Sequence, residues 1–293
     1  MPKKVFIIGC GALGASLGLA LHRAGRDILG IYDIDARAAR TASERIGVKG
    51  FGGSLPEMIK DAQTVIVTVP DDAIATVAQQ AQAEELCAPH QIWIHCSGHL
   101  NYRVFSVLEG HVAGMGTMHP AHVFPPRVCT DIPENVYFAV GGNPAGIEMV
   151  QELVSLMKGR VLLVDPSLRP IYHAAMVMGS NYVVALLASA RDVLSHSGIS
   201  EGDIDGLLFG LAQSAISRSR SLGLDHSLSG PVRRGDVGVV GDHVKVLAPW
   251  PDLQHVYVEM GKATVRLAAR QPGYCPDTAE TILEVFERVD QKR

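Results

Sequence analysis

None of the five cysteines (Cys10, Cys87, Cys96, Cys129, Cys275) belongs to a C-x-x-C pair, and their number is odd. That scatter argues against a disulfide framework or a cysteine zinc site and fits reduced thiols in a cytosol. Basic runs are also missing, and the net charge is −4, which disfavours a nucleic-acid role. Charged residues reach only 19% against 47% hydrophobic, a globular balance rather than a disordered one. No secretory leader is legible: Lys3 and Lys4 precede a short apolar run that reads as a strand entering a glycine loop. The histidines at 90, 95, 99, 111, 119 and 122 match no standard ligand spacing, so no metal is expected.

Charge is absent altogether from residues 174–190, AAMVMGSNYVVALLASA. The stretch is slightly short for a membrane span and has Ser180, Asn181 and Tyr182 at its centre. A helix apolar on all faces also suits a core or a subunit interface. The expectation is therefore a cytoplasmic homodimer, off the membrane, built through the C-terminal helices.

A chain of 293 residues can bury about three quarters of its unfolded surface, and its length favours about two domains. Strand and helix signals alternate through the first half. Residues 4–8, 28–33, 64–69, 91–95, 112–118, 136–140 and 161–164 read as strands, and 12–24, 35–46 and 71–82 as helices. That order predicts a mostly parallel sheet with right-handed crossovers. After 164 the strand signals stop. Residues 167–196 read as one long helix, and 206–222, 241–247 and 252–269 as further helices. The predicted organisation is an α/β Rossmann domain over residues 1–165 and an all-α domain over 166–293.

Gly9, Gly11 and Gly14 form G-x-G-x-x-G in the loop GCGALG, with Ala12 and Leu13 opening the helix. Gly9 permits the turn, Gly11 admits a pyrophosphate, and Gly14 lets helix pack on strand. The helix N-terminus offers N–H groups to the phosphates. Asp33 lies 33 − 14 = 19 residues beyond Gly14, at the end of the second strand, where an acid binds the ribose hydroxyls of NAD and repels the 2′-phosphate of NADP. Asp35, Arg37 and Arg40 keep NADP open, because an arginine at this tip can hold that phosphate. Val69, Pro70 and Asp71 with Asp72, and Cys96, Ser97 and Gly98, end successive strands and are expected on the nicotinamide side.

Hydride transfer needs a proton donor and a clamp for developing charge. His119, in a turn stiffened by Pro120, and Ser97 are candidates that could meet at the carboxyl edge of the sheet; a histidine pKa near ~6.5 suits acid–base work. Asn181 in the uncharged stretch needs a partner if buried, a substrate group or another helix. His173, two helical turns earlier, should share its face. The stretch SGPVRRGD (229–236) could grip a carboxylate or phosphate, or equally be a capped helix start with surface ion pairs.

Together with the glycine loop, VTVPDDAI (67–74), HCSG (95–98), MHPAHVF (118–124), YHAAMVMGSNYVVALL (172–187) and SGPVRRGD make the chain resemble Rossmann-like proteins whose C-terminal half is catalogued as domain of unknown function 2520. These sit in the 6-phosphogluconate-dehydrogenase-like group, beside ketopantoate, pyrroline-5-carboxylate and prephenate enzymes. The resemblance implies a nicotinamide-linked oxidoreductase with a helical, commonly dimerising, second domain. Asn181 is similar to the helix asparagine of the group's hydroxyacid dehydrogenases, but Val177 stands where they carry lysine. Ser97 and His119–Pro120 resemble the serine and His-Pro of prephenate dehydrogenases. The expected activity is hydride transfer to or from a small, carboxylate-bearing carbonyl, hydroxyl or imine compound. NADP-dependent ketopantoate-type reduction and a dinucleotide sensor without turnover remain the alternatives.

Overall fold

The computed structural model describes residues 3–126 and 128–291. The chain forms two compact units, Met1–Ser180 and Asn181–Arg293.

The first unit runs β1 (Lys4–Ile8), α1 (Ala12–Arg23), β2 (Asp27–Asp33), α2 (Ala36–Ile46), β3 (Gly50–Gly52), β4 (Thr64–Val67), α3 (Asp71–Ala83), β5 (Ile92–His95), β6 (Gly114–Pro120), β7 (Tyr137–Gly142), α4 (Pro144–Leu156), β8 (Arg160–Leu163) and α5 (Arg169–Gly179). Short 3-10 turns at Glu57–Asp61 and Tyr102–Leu108 fill two of the connections. The sheet order is β3-β2-β1-β4-β5-β6-β7-β8. Every pairing is parallel except β6 with β7. Strands covered on both faces must be apolar on both. On β1, Val5 and Ile7 join one core with Leu17, Ala39 and Val150, while Phe6 and Ile8 join the other with Ile74, Trp93 and Phe105.

The sequence reading of alternating elements holds, with three additions. β3 is only three residues long and two of them are glycine, so it carries no strand signal. α4 starts at an Asn143 cap, whose side chain accepts from the Gly146 N–H, followed by Pro144 in the first turn. An Asn-Pro pair of this kind is the sequence signal for such a helix start. The third addition is α11, given with the second unit. The strands end at Leu163, but the first unit continues through α5, because Arg169 at its start is fully buried.

The helix expected over 167–196 is broken. Gly179 ends α5, and Ser180 departs from helical geometry at φ −128° and ψ −72°. Its hydroxyl bonds back to the Met176 carbonyl at 2.7 Å. A Gly-Ser pair with such a back-bond is a recognised cause of a break.

The second unit comprises α6 (Asn181–Ser195), α7 (Glu201–Leu222), the short α8 (Pro231–Arg234), α9 (Val237–Val246), α10 (Pro251–Ala268) and α11 (Pro276–Asp290). Its core is Val232, Val240, Val244, Val258, Val265, Ala268, Ile282 and Phe286, supplied by α8 to α11. α6 contributes no buried residue and α7 only Ile204.

Candidate active site

Between β1 and α1 the chain must turn without side chains. Gly9 has φ +106°, and a Cβ there would lie 2.8 Å from the Thr68 carbonyl carbon. A Cβ on Gly14 would stand 2.0 Å from the Gly9 oxygen, so helix and loop touch only because it is glycine. Gly11 is exposed with open space above it, and as N-cap of α1 it brings no side-chain cap. The first turn of α1, with Ala12 and Leu13, therefore keeps its N–H groups for an anion.

Asp33 ends β2. One carboxylate oxygen accepts from the Cys10 N–H at 2.7 Å and the other from the Asp35 N–H at 2.9 Å. The acid is thereby fixed against the glycine loop, and each oxygen keeps a further lone pair. Ile34 beside it is 83% exposed, an apolar shelf at the tip of the strand. Asp35 caps α2 through the Arg37 N–H. A groove of about 910 Å³ is lined by Gly11, Ala12, Asp35, Arg37 and Arg45, among others; Arg40 is not in its lining.

At the carboxyl edge the expected loops meet. β4 runs out through half-buried Val69 to exposed Pro70, the N-cap of α3. The Ser97 hydroxyl donates to Asp71 at 2.7 Å and accepts from the N–H groups of His99 (3.1 Å) and Leu100 (2.9 Å). Ser97 is thus committed to joining the loops after β4 and β5, and it does not bond His119. His95 is buried beneath it. Its Nε2 donates to the Asn101 carbonyl at 3.1 Å, so Nδ1 is the acceptor for the Ser97 N–H at 3.3 Å. Burial holds this histidine neutral, with a pKa pulled down to about 4.

His119 lies on β6 itself, not in the turn expected from Pro120. The Ala121 N–H bonds β7 at Tyr137, so the alternate position, Pro120, faces the side where pairing with β5 has already ended at Thr117. A residue without an N–H costs nothing there. The His119 Nδ1 shares a 3.0 Å hydrogen bond with the Tyr172 hydroxyl. Its ring centroid is 6.0 Å from that of His173, which is 6.2 Å from that of His99. Gly98 makes this gathering feasible: a Cβ there would be 2.7 Å from His173 Cδ2 and 2.9 Å from His119 Nε2. Burial, then Arg169 and His173, pull the His119 pKa down to about 4.

Arg169 and Tyr172 were not foreseen. Arg169 is 0% exposed; Nη1 donates to Thr117 Oγ1 at 2.9 Å and Nη2 to the Ser97 carbonyl. It ties the ends of β5 and β6 together, while its Nε is buried without a partner. A cation in the first turn of a helix opposes the macrodipole, and that was the available signal that Arg169 serves something other than its helix.

Asn181 opens α6 in the second unit and is exposed, so the burial that made it a candidate is not met. The single helix expected to carry both His173 and Asn181 is interrupted at Ser180. The 229–236 stretch takes its structural alternative: Arg234 pairs with Asp236 at 2.7 Å and Arg233 bonds Gln271, all inside the second unit.

Residues 2–120 match the family model described as Rossmann-like domain, and residues 136–264 match Domain of unknown function (DUF2520). The chain is a Rossmann-like domain followed by a DUF2520 domain, as its motifs suggested. A Bacteroides fragilis protein assigned as an NADP oxidoreductase superimposes with a TM-score of 0.74 at 22% identity, over 90% of this chain and 98% of that one. A Thermotoga maritima protein gives 0.67 at 24%, with the same coverage. These likenesses show the fold. An 82-residue stretch is 38% identical to the ketol-acid reductoisomerase (NADP(+)) of Erwinia tasmaniensis, covering 27% of this chain and 17% of that enzyme.

Proposed function

We propose that this Rossmann-like, DUF2520-bearing chain is an NAD(H)-linked oxidoreductase acting on a small, carboxylate-bearing carbonyl, hydroxyl or imine compound. The observation that carries the reading is His119, anchored by Tyr172 at the carboxyl end of β6, on the sheet edge that also carries the glycine loop. The residues fit a dinucleotide: uncapped N–H groups for the pyrophosphate at Gly11, Ala12 and Leu13, and a fixed carboxylate at Asp33 for the ribose diol. A bound nicotinamide supplies or accepts hydride. The protein must then manage one proton at the substrate oxygen or nitrogen. With the Tyr172 hydroxyl as donor to Nδ1, the neutral ring of His119 carries its proton on Nε2 and presents an N–H to that atom. As negative charge develops there, the Nε2 proton passes across, the tyrosine proton follows onto Nδ1, and the half-buried Tyr172 oxygen regains a proton from solvent. Oxidation runs the same transfers backwards.

NAD is proposed over NADP because the Asp33 carboxylate would repel a 2′-phosphate; Arg37, which lines the groove with Gly11 and Asp35, is the opposing influence. Titrating both reduced cofactors by fluorescence tests this, with NADH expected about tenfold to a hundredfold tighter. Equal or tighter NADPH binding reverses the assignment. Screening NADH oxidation against 2-oxo acids and cyclic imines tests the activity. Dinucleotide binding with no turnover across that set would favour the sensor reading, which the valine at 177 keeps in play.

The uncovered helices α6 and α7 support a homodimer. Residues 169–195 are long and apolar enough to cross a membrane by length and composition. However, the break at Ser180 leaves α6 with 15 residues, about 22 Å, short of a hydrocarbon core of about 30 Å.

A further inference from the structure

A buried cation normally has an acid beside it. Arg169 has none among the described residues: its two bonded nitrogens meet a carbonyl and a hydroxyl, and its Nε meets nothing. The acid that acts on it through space, Asp71, bonds Ser97 rather than the guanidinium and is itself exposed to solvent. Around Gly98, whose neighbour Ser97 bonds this cation through its carbonyl, gather His99, His119 and His173, and among the described residues no carboxylate bonds any of the three. Each imidazole is able to donate a hydrogen bond, and His99 is exposed while the other two are half-buried. The stretch at 229–236, the sequence's other candidate for gripping an anion, has its arginines engaged elsewhere.

We infer that the histidine cluster around Gly98, backed by the unpaired Arg169, is an anion-binding subsite that receives the carboxylate of the substrate next to the reacting carbon. The inference rests on the oxidoreductase reading for the word substrate, but the subsite stands on its own geometry. His119 and His173 both close on Gly98, so a group held by His173 lies within a few bonds of one held by His119. The substrate class this selects has its carboxylate directly beside the carbon that changes oxidation state: 2-oxo, 2-hydroxy or 2-imino acids. An anion there also offsets the charge of Arg169, the influence that, with burial and His173, opposes protonation of His119; Asp71 favours it, and Tyr172 bonds Nδ1. Anion binding should therefore strengthen as pH falls toward the His119 pKa of about 4.

The test uses the full chain without cofactor and two probes of one shape, oxalate and its uncharged analogue oxamide, followed through the imidazole NMR signals at about pH 6. Oxalate should move the signals of His99, His119 and His173 and leave His22 and His243 still, and oxamide should move none. Arg169→Met should weaken oxalate binding about tenfold or more, and Arg169→Lys, which keeps the charge and the fold's need for a cation, should retain most of it. His173→Gln gives the same reading without touching Arg169. Equal shifts with oxamide, shifts spread over remote histidines, or unchanged affinity in His173→Gln and Arg169→Met would overturn the subsite. Turnover of oxo acids with no anion effect at these rings would sink the subsite and leave the oxidoreductase reading standing. Anion binding without any turnover would do the reverse.

Discussion

The hydroxyl of Tyr172 and Nδ1 of His119 meet at 3.0 Å, although 53 residues separate them. The first comes from the helix that closes the first unit and the second from a strand in the middle of its sheet. Such a bond selects a tautomer, and it does so from outside the strand that carries the histidine. If it orients the proton donor, Tyr172→Phe should lower turnover about tenfold and leave NADH affinity unchanged. His119→Asn should cost about 10²–10⁴. Steady-state kinetics with a cofactor titration separates the two. Parent-level turnover in His119→Asn would reduce the histidine to a strand residue.

Gly98 is a steric requirement of the same site. An alanine methyl would overlap His173 and His119, whose rings belong to two different elements. We expect Gly98→Ala to destabilise the fold by about 1–3 kcal/mol, as overpacking does. It should also remove the shared hydrogen bond with Tyr172, while cofactor binding at Gly11 and Asp33 persists. Thermal melts and NADH titration check the two halves, and an unchanged melting temperature with full activity would contradict the close contact.

His95 gives the fold a pH dependence. Its pKa is about 4 in the folded chain and about 6.5 when unfolded. The unfolded chain therefore takes up this proton first as pH falls. Stability from the neutral, buried ring is complete above about pH 6.5 and is lost as pH drops toward 4, by about 3 kcal/mol. His119 contributes in the same direction. Urea unfolding at several pH values should show the decline, and His95→Gln should flatten it. The same slope in the variant would assign the effect to other groups.

What was legible in the sequence was local. Gly9, Gly11, Gly14 and Asp33 announce themselves by spacing, because a turn, a helix start and a strand end must follow one another in chain order. The β-branched residues of β4 did the same for the sheet. What was not legible depends on distant partners. Ser97 looked like a partner for His119 until Asp71 and two backbone N–H groups were seen to occupy it. Arg169 and Tyr172 matter only because α5 returns to the ends of β5 and β6. The break at Ser180 was local as well, but apolar periodicity on both sides masked the Gly-Ser pair.

The last prediction concerns the surface of the second unit. Tyr182, Val184 and Leu186 on α6, and Leu207, Phe209, Leu211 and Ile216 on α7, are all exposed. Side chains of α6, α7, α9 and α10 also line an apolar groove of about 600 Å³. A soluble monomer rarely leaves so many large apolar side chains of two helices uncovered. A second copy is the simplest cover, since it brings the same two helices and satisfies both chains at once. Light scattering at micromolar concentration should give twice the chain mass. Leu211→Glu, which places a charge in the proposed seam but outside the buried core of α8 to α11, should yield a folded monomer with native helix content. A monomeric parent would refute the dimer. If the parent instead partitioned into lipid vesicles and Leu211→Glu abolished that, the dimer would be refuted and the apolar surface would be meeting a membrane.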